Sequence, residues 1–199
     1  MAPGAELEVY RAQAQRDLLP LLQALHAVLA KGQPAPQNLV NVLALTAAQQ
    51  AATPAAEAFG DTLASLVRVR TLPQQAQAVA YRLAVPKGAL LAQRAVEVLT
   101  GRSEAYVDPY TRLATQVLIF DSHREGAAEG GRQGGATHKT FTRVRPVAEP
   151  RAHSVLEGTT LPLQEPFYIA GIACFGPGDD RLPWSERAFC GHVLRFSRR

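Results

Sequence analysis

The sequence predicts an α+β protein, a helical amino-terminal region followed by a small β-containing carboxy-terminal module. Three observations carry that expectation. Leu18, Leu21, Leu22, Leu25, Val28 and Leu29 recur at three- and four-residue spacing, which builds one apolar stripe along a helix. Alanine and glutamine dominate stretches such as "LTAAQQAATPAAEAF", a bias that favours helix. After Gly135, prolines, threonines and aromatics take over and the helical period stops. The expected division is a helical region over 1–107 and a module over 108–199, made of a long helix plus short strands.

The first helix is expected over 6–30, kinked or restarted at Pro20, because proline removes a backbone donor. "KGQPAPQN" (Lys31–Asn38) is a break. Two further helices are expected at about 37–52 and 54–68. Thr71, Pro73 and Gln74 resemble a capped start for a helix running to about Ala84 and stopping at "VPKG". Another follows over 88–100, closed by Gly101 in a left-handed cap. Asp108 and Pro109 read as the cap and first residue of a last helix carrying Leu113, Val117 and Phe120. Glycine costs backbone entropy in a helix, so that helix is expected to fray into a flexible loop near Gly130–Gly135. "HKTFTRVRP", "EPFYIAGIA" and "CGHVLRFS" read as short strands.

Composition narrows the function classes. The chain has 199 residues, 47% hydrophobic and 19% charged, which suits a folded globular protein. Residues 1–100 carry 8 basic and 6 acidic side chains and 101–199 carry 13 and 11, so each half contributes +2 to the net charge of +4. With no basic tail, nucleic-acid contact is permitted but not demanded. Two cysteines are too few for a disulfide framework. The amino terminus lacks a basic stretch followed by an apolar core, and no apolar run approaches the ~18 residues of a membrane span. Folding in the cytosol, with no membrane partner, is the default expectation.

The common catalytic signatures are missing: no Walker A loop, no Rossmann glycine fingerprint, no G-x-S-x-G and no H-E-x-x-H. "GPGDD" (Gly176–Asp180) lacks the ligand spacing of an EF-hand and reads as a polar turn. Trp184 reads as core. Lys139, Phe141, Arg143 and Arg145 share one strand face, a pattern of charge and ring that nucleic-acid surfaces use and that a solvated strand face also shows.

The strongest chemical candidate is a metal site built from His153, Cys174, Cys190 and His192. On an extended strand Cys190 and His192 point the same way because side chains alternate with period two, and Leu194 and Phe196 mark that face as the buried one. A thiolate and an imidazole there can share a zinc ion, with His153 and Cys174 completing a tetrahedron. The competing reading is a buried free cysteine beside a hydrogen-bonded core histidine. For His153 a general-base role needs a reacting partner and an orienting carboxylate, and Ser154, Glu157 and Glu165 are the sequence neighbours. A structural role is the other option, with His153 bonding the turn at Leu156–Glu157–Gly158.

The order "KTF", "PRAHSVLEG", "PLQEPF", "GPGD" and "CGHVLRF" resembles the carboxy-terminal module of phage Mu F-like head morphogenesis proteins, the minor capsid proteins of tailed phages. The resemblance covers about residues 108–199 and rests on Arg151, His153, Leu156, Gly158, Pro166, Phe167, Gly176, Asp179 and Cys190. Two positions depart from the family pattern: "TQVLIFDSHREG" lacks the usual Thr-Glu, and His192 stands where a second cysteine is frequent. The second departure keeps a metal-ligand residue type in place. The resemblance implies a few-copy protein that assembles in the host cytoplasm and resides inside the virion head. Its implied partners are the portal and other head proteins, with contact to DNA as an extension of that role. It implies binding rather than catalysis and no cofactor beyond the zinc considered above. The alternatives that stay open are a metal-dependent hydrolase or nuclease using His153, Cys190 and His192, and a bacterial DNA-binding protein.

Overall fold

Four long helices form the first two-thirds of the molecule and a small set of antiparallel strands closes it, an α+β architecture. The computed structural model describes residues 3–67, 73–144, 152–179, 181–187 and 190–198. Helix α1 (Pro3–Leu29) buries Leu18, Leu22, Leu25 and Leu29 of the stripe its periodicity predicts, leaves Leu21 and Val28 partly buried, and adds Leu7 and Ala14. Pro20 does not end it. That residue is exposed, so the missing backbone donor falls on the solvent side of the helix.

Helix α2 (Gln37–Val67) and helix α3 (Pro73–Leu99) are each one continuous helix where two were expected. Pro54 and Pro86 sit inside them. Tertiary burial outweighs the local cost of proline: α2 buries Ala47, Ala48, Ala51, Ala52, Ala55 and Ala58, while α3 turns Ala80, Ala84, Ala92 and Ala95 inward. Small side chains let helix backbones approach closely, and the alanine bias is therefore a packing surface as well as a propensity. Gly101 has φ +72, as its cap position predicts, whereas the expected cap at Thr71 lies outside the described residues.

Helix α4 (Val107–Gln133) begins one residue before the expected cap, after a 3-10 turn at Glu104–Tyr106. Asp108 is inside the helix and pairs with Arg112 at 2.8 Å. Its glycine-rich end is helical through Gln133 rather than frayed. A Cβ at Gly126 would collide with the carbonyl of Ala55 on α2, and one at Gly130 would lie 2.6 Å from the Phe59 carbonyl. These glycines, four apart on one face, are where α4 touches the α2 backbone.

Strand β1 (His138–Arg143) is the centre of a three-stranded antiparallel sheet, between β2 (Thr160–Pro162) and β5 (His192–Ser197). The β1–β5 register opposes Lys139 to Phe196 and Phe141 to Leu194. "EPFYIAGIA" is a hairpin rather than one strand: β3 (Phe167–Ile169) and β4 (Ile172–Cys174) are joined at Ala170 and Gly171, both at positive φ. That dihedral pair is what a tight two-residue hairpin turn requires. The last helix, α5 (Trp184–Arg187), is a single turn. The side chain of Trp184 lies outside the described residues, as does Arg145.

Phe141, Phe167, Ile169, Cys174, Leu194 and Phe196 form the core of the β unit, shared with Ala58 of α2 and Ala127 of α4. Phe196 also lies against Gly131. The β unit is therefore seated on the bundle through α4 and α2.

Candidate metal centre

Three segments far apart in sequence bring their polar side chains to one buried point. The 3-10 turn Ala152–Leu156 supplies His153, the first residue of β5 is His192, and Cys190 precedes it by two. All three are buried, with exposures of 1%, 0% and 1% for His153, His192 and Cys190. Cys190 Sγ lies 3.3 Å from His153 Nε2 and 3.7 Å from His192 Nδ1. One donor atom from each residue can be chosen so that all lie within 4.8 Å of one another. The two imidazoles meet edge to face with centroids 4.9 Å apart, and Phe141 lies against both, at 5.9 Å from His153 and 5.1 Å from His192.

Cys190, His192, Leu194 and Phe196 are all buried, as the period-two reading requires, but Gly191 and Val193 on the other face are buried as well and only Arg195 is exposed. Cys174 is not part of the cluster. It sits in β4, hydrogen-bonded across its own hairpin, where its thiol donates to the Phe167 carbonyl at 3.5 Å. Pairing with β3 fixes it in the aromatic core, and the four-ligand set reduces to three. The turn contact proposed for His153 is also replaced. Its Nδ1 donates to Glu186 Oε2 at 2.6 Å, and its Nε2 faces the sulfur. Glu157 pairs with Arg143 instead, at 3.0 Å.

Two residues of the site were not found in the sequence. Glu186 reaches His153 because α5 turns back just before Cys190, and a single acid four residues ahead of a cysteine carries no distinctive signal. Arg124, on α4, donates through Nε and Nη2 to the His192 carbonyl at 3.1 and 3.0 Å, and through Nη2 to the Cys190 carbonyl at 3.1 Å. Asp121 steadies it at 2.7 Å. Helix α4 thus holds the backbone that carries Cys190 and His192.

The electrostatics favour a charged sulfur. Burial opposes ionisation of the Cys190 thiol, but hydrogen bonds from His153 and His192 and the Arg124 charge outweigh it and bring the pKa down to about 5. Burial likewise opposes a proton on His153, yet Cys190 and Glu186 together raise its pKa. His192 Nε2 is buried and has no hydrogen-bond partner among the described residues. Leaving such a group unpaired costs about 1–3 kcal/mol.

Several residues of the motifs that carry the resemblance pack in the β core beside this point, and others do not. Lys139 is buried, donating to the Phe175 carbonyl at 2.9 Å with its ammonium 3.9 Å from the Phe175 ring centroid. Lys139 and Phe141 therefore face the core, whereas Arg143, on the same alternation, is exposed and pairs with Glu157, so the part of the suggested nucleic-acid face formed by Lys139 and Phe141 is interior. Phe167 meets Phe141 edge to face at 5.3 Å. Leu156 joins the same core, and Gly158, at φ +81, donates its N–H to the Phe141 carbonyl at 2.8 Å. Gly176 lies under Leu194. Asp179 closes the turn by accepting from the backbone N–H of Phe175 at 2.7 Å and of Arg181 at 3.0 Å. Pro166 is exposed beside β3, and Arg151 lies outside the described residues.

No family model, curated protein or solved structure matches the chain.

Two chemistries fit the cluster in principle. Cys190, His153 and Glu186 stand in the order nucleophile, base and orienting acid. Two imidazoles and a thiolate are also a donor set for a borderline-soft cation. Burial separates them, since a nucleophile must meet a substrate and Cys190 is 1% exposed. A cavity of about 420 Å³ beside the module is lined by residues such as Lys87, Asp121, Arg124 and Asp179, not by the sulfur.

Proposed function

We propose that this chain is a minor head protein of a phage or prophage, working by binding in procapsid assembly in association with the portal. One observation carries the reading. Several of the residues through which the sequence resembles the Mu F-like module, though far apart in the chain, are brought together in one buried core: Phe141 lies against His153 and Phe167, and Cys190 Sγ is 3.3 Å from His153 Nε2. A catalytic cleft would leave its reactive atoms open, whereas Cys190, His153 and His192 are sealed from solvent. That suits a module whose work is to hold a shape. The helical half offers contact residues in exposed Val42 and Leu45 on α2 and Tyr81, Val85 and Leu90 on α3.

The test is particle composition. Procapsids purified from cells carrying the source element are expected to contain the chain at a few copies each, by quantitative mass spectrometry, and to lose normal assembly when its gene is deleted. Particles that form normally and lack the chain would exclude a head role.

A second reading, a hydrolase acting through Cys190, is favoured by the 2.6 Å contact between His153 and Glu186. Its cost is the burial of the sulfur.

A further inference from the structure

We propose that His153, Cys190 and His192 bind one zinc ion that fastens the β unit together. This goes beyond the assembly role and does not depend on it, since it stands on the geometry of three side chains.

A zinc ion with bonds of about 2.3 Å to sulfur and 2.0–2.1 Å to nitrogen, in tetrahedral arrangement, separates its sulfur and nitrogen donors by roughly 3.6 Å. The observed separations from Cys190 Sγ are 3.3 Å to His153 Nε2 and 3.7 Å to His192 Nδ1. Hydrogen bonding alone accounts for the first contact better than the second. A single ion between the three donors accounts for both. The other nitrogen of His153 is already directed at Glu186, the outer carboxylate that commonly orients a zinc-bound imidazole and fixes which ring nitrogen faces the metal. His192 is fully buried with its Nδ1 turned toward the sulfur, the position from which it would donate to the ion; its Nε2 has no partner among the described residues and would stay unpaired with the ion bound.

The placement also explains what the ion does. The strands here are short, with β2, β3 and β4 only three residues each, and small β units of this kind commonly need a staple. His153 lies on the turn leading to β2, and Cys190 and His192 lie on the entry to β5. Cross-linking them closes a loop of the chain around Phe141 at the centre of the sheet. Three protein donors leave one coordination position for water or another small donor. The bound state requires a thiolate sulfur and neutral imidazoles, so zinc binding releases protons.

Protein purified from zinc-supplemented cells is expected to contain one zinc per chain by elemental mass spectrometry. Cys190→Ser and His153→Asn should each lower this at least tenfold, while Cys174→Ser should leave it unchanged. Chelator-stripped wild-type protein, titrated with Co²⁺, should develop the visible bands of tetrahedral cobalt and a thiolate-to-cobalt charge-transfer band. Zn²⁺ should then abolish both and raise the thermal midpoint. The titration keeps the test decisive if a variant fails to fold. Wild-type protein holding less than a tenth of an equivalent of zinc, with no cobalt spectrum, overturns the proposal. So does rapid alkylation of Cys190 in zinc-saturated protein, which would identify a free thiolate paired with His153.

Discussion

His123 shows how one side chain ties stability to pH. Burial, helped by the adjacent Arg124 charge, pushes its pKa down to about 4 from an ordinary 6.5. The unfolded chain therefore takes up a proton below about pH 6.5 that the folded chain refuses until about pH 4. The contribution is fully present above pH 6.5 and is lost as pH falls through that window. A shift of this size corresponds to about 2 kcal/mol between pH 7 and pH 5. Urea unfolding at those two pH values should show that difference in the wild type and a smaller one in His123→Leu. Lys139 marks the opposite lesson at the same scale. Its alternation with Phe141 was legible, but the charge suggested a solvated face. The ring of Phe175 and a backbone carbonyl hold the ammonium inside instead, which no local pattern announces.

Among the elements, the informative positions are those where local propensity lost. Pro54 and Pro86 read as helix ends, because proline's cost is written in the residue itself, while the alanine faces that outweigh it act only once two helices meet. The glycines of α4 read as a loop for the same reason. Gly126→Ala is expected to force α4 off the Ala55 carbonyl and lower stability by about 1–3 kcal/mol, measurable as a drop in the urea midpoint with little change in helix content. The β3–β4 hairpin predicts the reverse. Ala170 holds φ +50, where a side chain is strained, so Ala170→Gly should raise stability by about 0.5–1 kcal/mol in thermal unfolding, even after the added freedom of the unfolded chain is counted. Strand alternation, by contrast, was enough to place Cys190 and His192 on one inward face. It did not reach Glu186 or Arg124, whose roles depend on how α5 and α4 are set against β5.

In the whole molecule, α4 is the element common to every core. Leu118 packs with the helical cluster, Ile119 and Phe120 meet Leu7 and Ala14 of α1, and Ala127 enters the β unit. The fold class and the change of texture after Gly135 were readable from composition, whereas this sharing was not, since it needs helix positions several turns apart to face three different neighbours. Charge is similarly distributed. Acidic and basic groups pair across the surface, as in Arg82 with Glu129 and Lys87 with Glu125, and the net charge is only +4. With Lys139 and Phe141 internal, duplex DNA at physiological salt should bind no tighter than the roughly 10⁻⁶ M limit typical of non-specific contact. Fluorescence anisotropy across a salt series checks this, and tight, steeply salt-dependent binding would require a basic surface elsewhere.

Cys174 and Cys190 are the two cysteines of the chain, and both are buried. The molecule thus contains two built-in clocks. A thiol reagent can strike either sulfur only during an opening of its surroundings, so labelling rates count openings rather than chemistry. Cys174 times the β3–β4 hairpin, and Cys190 times the junction between α4 and β5. Mass spectrometry of a slow alkylation should show two separate rates in unmodified protein, with the Cys190 rate falling the more steeply when zinc is added.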